Sequence, residues 1–204
     1  YTGERGGRSF WQHNGEGLAP EVLTSRYLHL PGSISHPSLV EKNHGARLWD
    51  IGDGVACVEF RTKMNPVDDD IVKMLHGAVK RAESDFDARI IGNHDTRAFS
   101  AGANIMLILM GAKQQQWDQI RGTLQGFQSA VMALRHSSVP VVAAPHGLTL
   151  GGGAEIALGA NAIQAHAELY MGLVEVGVGL IPGGGGRFGL LYNHQGYRSD
   201  KRRE

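Results

Sequence analysis

The sequence predicts an α/β layered domain, and three observations carry that prediction. Residues 47–60 form a hairpin pattern, two strand-like runs joined across Asp53-Gly54, a favoured turn dipeptide. Trp117, Ile120, Leu124, Phe127, Val131 and Leu134 recur at intervals of three and four, which makes one apolar helix face, read as core or oligomer interface rather than a cofactor box. Val139 to Ala144 is a short apolar run of strand length lying between that helix and a glycine-rich turn. Strands alternating with helices bury their apolar sides as stacked layers.

In chain order, residues 1–45 stand apart from the rest. They begin with Tyr1 rather than Met and mix Gly, Ser, Pro, Asn and His with weak periodicity, the pattern of a linker or the end of a preceding domain. The main domain is assigned to residues 46–190. Its first strand is Arg47–Ile51 and its second Val55–Phe60. Met64-Asn65-Pro66 breaks the strand, and Asp68-Asp69-Asp70 opens a helix running to about Ser84. The three aspartates read as first-turn acids stabilised by the helix dipole rather than as metal ligands. Arg89-Ile90-Ile91-Gly92 reads as a strand, and Ile105 to Met110 as an apolar helical run. Ala162–Ala165 and Glu168–Met171 read as short strands before a final glycine-rich loop. Residues 191–204 form a charged tail expected to fray.

Composition excludes several classes of function. The chain has 204 residues, room for one domain with appendages, and 20 basic against 20 acidic side chains, so no global field draws it to nucleic acid or membrane. Cys57 is the single cysteine, which rules out an intramolecular disulfide, and its setting in an apolar strand reads as a small core residue. No apolar run approaches the ~18 residues of a membrane span, and the start has no charged-then-apolar secretory pattern, so the expected location is the cytoplasm. The ten histidines lack metal-ligand spacing; His94 and His146 read as loop residues, and no metal is expected. Met106, Met110 and Met171 read as lining for the core or for a substrate pocket. Gly177-Val178-Gly179-Leu180-Ile181-Pro182 imitates a dinucleotide fingerprint but has proline where the third glycine belongs. No glycine loop ends in Lys-Ser or Lys-Thr, so a P-loop is absent as well.

Two glutamates are the chemically informative residues. Glu155 follows Leu150-Gly151-Gly152-Gly153-Ala154, and Glu175 lies in Gly172-Leu173-Val174-Glu175-Val176-Gly177. Both sit in apolar, glycine-rich sequence without a basic neighbour. A carboxylate in such surroundings is costly unless paired or hydrogen-bonded, and two of them at one site can divide acid and base work. Either one could instead border a helix as a structural group. Upstream, Phe99-Ser100-Ala101-Gly102-Ala103-Asn104 and Gly151-Gly152-Gly153 each lead into a helical run. Small residues there let a ligand approach helix N–H groups that have no intrahelical acceptor. Two such groups converging on one oxygen would make an oxyanion hole, whereas two unrelated turns would do nothing chemical.

The segments Ala98 to Asn104, Pro140-Val141-Val142-Ala143-Ala144-Pro145-His146-Gly147, Leu150 to Glu155, and Glu175 through Ile181-Pro182-Gly183-Gly184-Gly185-Gly186 together resemble the crotonase (enoyl-CoA hydratase/isomerase) superfamily. They occur in that family's order, and the match runs from about Ala46 to Gly186. The resemblance implies a spiral of repeated ββα units. It also implies that the N–H groups of Ala103 and Gly152 receive a thioester carbonyl, with Asn104, Ile105, Met106 and Gly151 beside the substrate. Glu155 and Glu175 match the two carboxylates of the hydratases; many isomerases of the superfamily keep one. Asn104 departs from the Asp found in many members.

The implied reaction is addition of water to a trans-2-enoyl-CoA in fatty-acid β-oxidation, with coenzyme A carried by the substrate and no cofactor of the protein's own. The resemblance is greatest to the crotonase module of two-part bacterial proteins in which a 3-hydroxyacyl-CoA dehydrogenase comes first. On that reading residues 1–45 end the dehydrogenase part, and this chain has no dehydrogenase activity of its own. The expected partners are an acyl-CoA thioester and either further copies of the chain, as in the family's trimers, or a linked dehydrogenase domain. Family domains continue with helices after the Ile-Pro-Gly loop, whereas 18 residues follow Gly186 here, so the C-terminal helical region reads as missing. An incomplete, non-catalytic acyl-CoA-binding module and a double-bond isomerase are the competing readings.

Overall fold

The computed structural model describes residues 11–13, 18–20 and 38–185. The chain divides into two compact units, residues 1–37 and 38–204. In the first, strands β1 (Trp11–His13) and β2 (Leu18–Pro20) pair antiparallel, with Trp11 opposite Pro20. This pairing lies within the stretch the sequence suggests is a linker.

The second unit begins with β3 (Ser38–Lys42), which pairs antiparallel with β4 (Ala46–Asp50). The unit therefore starts at Ser38 and not at Ala46. Strand β3 is mostly exposed and carries no alternating apolar face, so its sequence does not announce it. β4 and β5 (Val55–Phe60) form the expected hairpin. Its turn holds Gly52, Asp53 and Gly54 at φ of 89°, 53° and 71°, the left-handed backbone that glycine and aspartate tolerate best.

After β6 (Pro66–Val67), helix α1 runs from Asp69 to Asp85. Asp68 caps it by accepting the Ile71 N–H at 2.9 Å, so the aspartate run is a helix start, as its sequence suggests. Ile71, Met74, Leu75 and Ala78 are buried at helical spacing. Strands β7 (Ala88–Gly92), β8 (Ala98–Ser100) and β9 (Gly102–Ala103) follow, then α2 (Ile105–Lys113) and α3 (Trp117–Arg135). The chain continues with β10 (Val141–Ala143), β11 (Leu148–Leu150), α4 (Gly152–Gly159), β12 (Ala162–Ile163), β13 (Tyr170–Gly172) and a 3-10 turn over Glu175–Val178.

The larger sheet has the order β12-β10-β7-β5-β4-β3, parallel from β12 to β5 and antiparallel from β5 to β3. A second, parallel sheet has the order β13-β11-β8, and β6 pairs parallel with β9. This is a mixed α/β layered architecture of the expected class. Helix α3 packs against both α1 and α4, and the core between helices and sheet includes Leu48, Phe60, Leu75, Phe99, Leu134 and Ile156. Gly159 makes the α3–α4 approach close: a Cβ there would stand 2.8 Å from Val131 Cγ1.

The apolar stripes divide between core and surface. The stripe on α3 is buried at Phe127, Val131 and Leu134, but Trp117 is 58% and Leu124 40% exposed. On α2, Met106 and Met110 are exposed and so lie outside the core, one of the two settings expected of them, with Ile105, Leu107 and Leu109 also open, whereas Met171 packs against the core. Periodicity reports that a face is apolar, not what covers it. Among the described residues no helix is long and apolar enough to cross a membrane. The tail at residues 191–204 and Gly186 lie outside the described residues.

Candidate active site

The site is built where β8–β9 and β11–α4 run side by side. Ser100 Oγ donates to the Asn65 carbonyl at 2.7 Å and accepts the Gly102 N–H at 3.2 Å, while the Asn65 side chain donates to the Ala98 carbonyl at 3.2 Å. These bonds hold the first glycine turn against β6. Gly102 is required there by conformation, at φ of 85°, and by space: a Cβ would stand 2.6 Å from the Leu150 carbonyl oxygen and 3.2 Å from the Gly152 nitrogen. The two turns that the sequence marks separately therefore meet, and Ala103 follows directly in chain at the meeting point.

The glycine triplet enters α4 by three different demands. Gly151, at φ of 50°, makes the turn. Gly152 backs onto the Phe127 ring, whose Cζ would lie 3.3 Å from an added Cβ. Gly153 lies directly against Ser100. All of α4 is buried, and the N–H groups of its first turn have no intrahelical acceptor.

Glu155 stands one turn into α4 and is 2% exposed. Its Oε1 accepts the backbone N–H of Gly184 at 2.8 Å, so the glycine loop after Pro182 closes onto the carboxylate. Glu175 reaches the start of the same helix. The Gly151 N–H donates to the Gly172 carbonyl at 2.9 Å, which aligns β13 with the start of α4, and the 3-10 turn then brings Glu175 Oε1 to within 3.1 Å of where a Gly151 Cβ would be. Glu175 Oε2 is buried and accepts no hydrogen bond from the described residues. The Glu155 carboxylate thus meets Gly184, and the Glu175 carboxylate meets Gly151 at the start of the helix that carries Glu155.

Asn104, Ile105 and Met106 lie beside Ala103 at the start of α2. Asn104 caps that helix, its Oδ1 accepting the Met106 N–H at 3.2 Å, so the departure to asparagine preserves the capping oxygen. Ile105 and Met106 present apolar surface to solvent, 45% and 62% exposed.

Other sequence candidates lie elsewhere. Cys57 is buried in β5. His146 Nε2 is 2.6 Å from the Asp95 carbonyl oxygen and its ring stands edge-on to Phe99, a loop-holding role. Among the described residues no group of three or more His, Cys, Asp or Glu side chains converges on one point.

Sequence reasoning missed the α3 residues that hold the last loop. Phe127 lies between Gly152 and Gly184 so closely that a side chain at Gly184 would overlap its ring. Gln128 donates from Nε2 to the Gly183 carbonyl at 2.6 Å. The one available signal was the glycine run itself, which needs an external anchor to hold a single conformation.

A family model described as enoyl-CoA hydratase/isomerase matches residues 50–198. A probable 3-hydroxyacyl-CoA dehydrogenase of Bacillus subtilis is 42% identical over 188 residues, which is 92% of this chain and 24% of that protein. Human mitochondrial methylglutaconyl-CoA hydratase is 28% identical over 191 residues, 91% of this chain and 53% of that protein. The chain thus spans about a quarter of the bacterial relative and about half of the human one. Among solved structures, Pseudomonas aeruginosa DspI superposes with a TM-score of 0.67 at 26% identity, over 74% of this chain and 57% of that one. An enoyl-CoA hydratase from Bacillus anthracis gives 0.62 at 22% identity over 72% and 57%, a likeness of fold.

Proposed function

The chain belongs to the enoyl-CoA hydratase/isomerase family, and from that premise we propose that its site adds water across the 2,3 double bond of a trans-2-enoyl-CoA, as in fatty-acid β-oxidation. One observation carries this reading: the Glu175 carboxylate reaches Gly151 at the start of α4, the helix that carries the buried Glu155, and Glu175 keeps a buried oxygen with no hydrogen-bond partner among the described residues. Addition of water needs a base for the attacking water and an acid for the adjacent carbon, so two carboxylates at one carbonyl-binding turn suit it.

The thioester carbonyl accepts the N–H groups of Ala103 and Gly152, which stabilises the negative charge that grows on oxygen as the double bond is attacked. Glu155 takes a proton from water as its oxygen bonds to C3. Glu175 orients that water and delivers a proton to C2 as the enolate collapses, giving a 3-hydroxyacyl-CoA. Ile105, Met106 and Gly151 border the acyl group, with Asn104 holding the start of α2. The same site serves a longer protein in which a dehydrogenase part is linked to it, or an assembly of several copies.

The test is hydration of crotonyl-CoA, read as loss of the conjugated thioester absorbance, with product analysis to separate hydration from movement of the double bond. Glu155→Gln and Glu175→Gln each keep binding and lower the rate by about 10²–10⁴-fold. Full activity in both variants would sink the assignment.

A further inference from the structure

The peptide unit joining Gly183 and Gly184 is held at both ends. Its carbonyl accepts the Gln128 side-chain N–H at 2.6 Å, and its N–H donates to Glu155 Oε1 at 2.8 Å. Gln128 lies on an exposed part of α3, outside the glycine turns and apart from either glutamate in sequence. From this chain of two bonds we infer that Gln128 is a positioning residue for Glu155, acting through the Gly183–Gly184 peptide; the inference rests on Glu155 being the base of the hydration reaction.

The physical reason is that, among the described residues, these two hydrogen bonds are what fix this peptide's direction. It begins a run of four glycines, whose backbones cross between conformations without the steric penalty a Cβ imposes. Turned over, it would aim a carbonyl at the carboxylate instead of an N–H. Phe127 bars any side chain at Gly184, so the flexible residue cannot be replaced by a stiffer one. The remaining control is to grip the carbonyl, and a side-chain amide does this. A donor on the carbonyl also polarises the N–H at the other end, strengthening a hydrogen bond that is already charge-assisted. The bond favours the ionised carboxylate, the form that accepts a proton from water.

The experiment compares the unsubstituted chain with Gln128→Leu, which keeps the bulk and loses the donor, and Gln128→Lys, which keeps a donor. Both changes fall on an exposed helix position, and thermal unfolding checks that the fold is retained. In isotopically labelled protein, the Gly184 amide proton and the Glu155 carboxyl carbon are followed by NMR as a function of pH. In Gln128→Leu the Gly184 amide proton moves upfield and Glu155 titrates at higher pH, while Gln128→Lys keeps the Gly184 signal near its original place. In hydration assays Gln128→Leu lowers kcat by about tenfold with little change in KM, and the acid limb of its pH profile moves up. An unchanged Gly184 signal together with an unchanged Glu155 titration in Gln128→Leu would overturn the inference. Failure of the unsubstituted chain to hydrate any enoyl-CoA would overturn the hydratase reading instead, and the NMR comparison would still decide the role of Gln128.

Discussion

A methyl group on Gly153 would stand 2.6 Å from Ser100 Cβ and 2.7 Å from the Ser100 carbonyl oxygen. The first turn of α4 therefore lies directly on β8, and this contact brings the two glycine turns together. The α4 backbone is close enough to the strand that the absence of a side chain sets the spacing.

Gly153→Ala accordingly lowers stability by about 1–3 kcal/mol through overpacking, read as a fall in the thermal unfolding midpoint. Gly122 supplies the contrast. It lies inside α3 with nothing within 4 Å of an added Cβ. Gly122→Ala raises stability by about 0.5–1 kcal/mol, because alanine loses less backbone entropy in a helix. Equal effects from both substitutions would contradict the close-contact account.

Gly151 separates strain from chemistry. Its φ of 50° with ψ of −122° suits glycine alone, and an added Cβ would face Glu175 Oε1 at 3.1 Å. Gly151→Ala costs about 1–3 kcal/mol in strain and displaces Glu175. Chemical denaturation reports the first effect, and a crotonyl-CoA rate that falls further than Gly153→Ala at matched stability reports the second.

Asp95 makes stability depend on pH. Partial burial pushes its carboxyl up, but hydrogen bonds from the Arg97 and Ala98 N–H groups, with the Arg97 charge nearby, outweigh that and hold it below its ordinary 3.8. A carboxyl depressed on folding adds stability that is full above the unfolded-state pKa and is lost as pH falls through the folded-state value. Asp95→Ala is therefore less stable than the parent at pH 6–7, and the gap closes as the solution is taken below about pH 4. A gap that stays constant to pH 2.5 in urea titrations would show that the charge contributes nothing.

Cys57 is expected to be inert in the native chain. Burial, then the neighbouring Glu59 charge, pushes its thiol up to about 12, so almost no thiolate exists at neutral pH. A disulfide exchange reagent reacts at pH 7.5 no faster than the protein opens, and the rate rises to that of a free thiol in denaturant. Rapid native labelling would contradict the buried strand position.

The sequence by itself determined most elements of the main domain and pointed to Glu155 and Glu175 as the candidate pair. The Asp53-Gly54 hairpin, the Asp68 cap, the α3 stripe and the order of the glycine motifs before Glu155 and Glu175 all rest on neighbours within a turn or two of one another. Periodicity, capping and turn chemistry act over that range and leave their mark on the residues concerned. Tertiary structure decided the rest. It placed β3 at the sheet edge, left Trp117, Met106 and Met110 exposed, and closed Gly184 onto Glu155 across 29 residues. It also brought Gln128 to Gly183 across 55 residues. Such contacts depend on how closely α3 and α4 pack, which is a property of backbones meeting at glycines, and a glycine in sequence does not name the partner it makes room for.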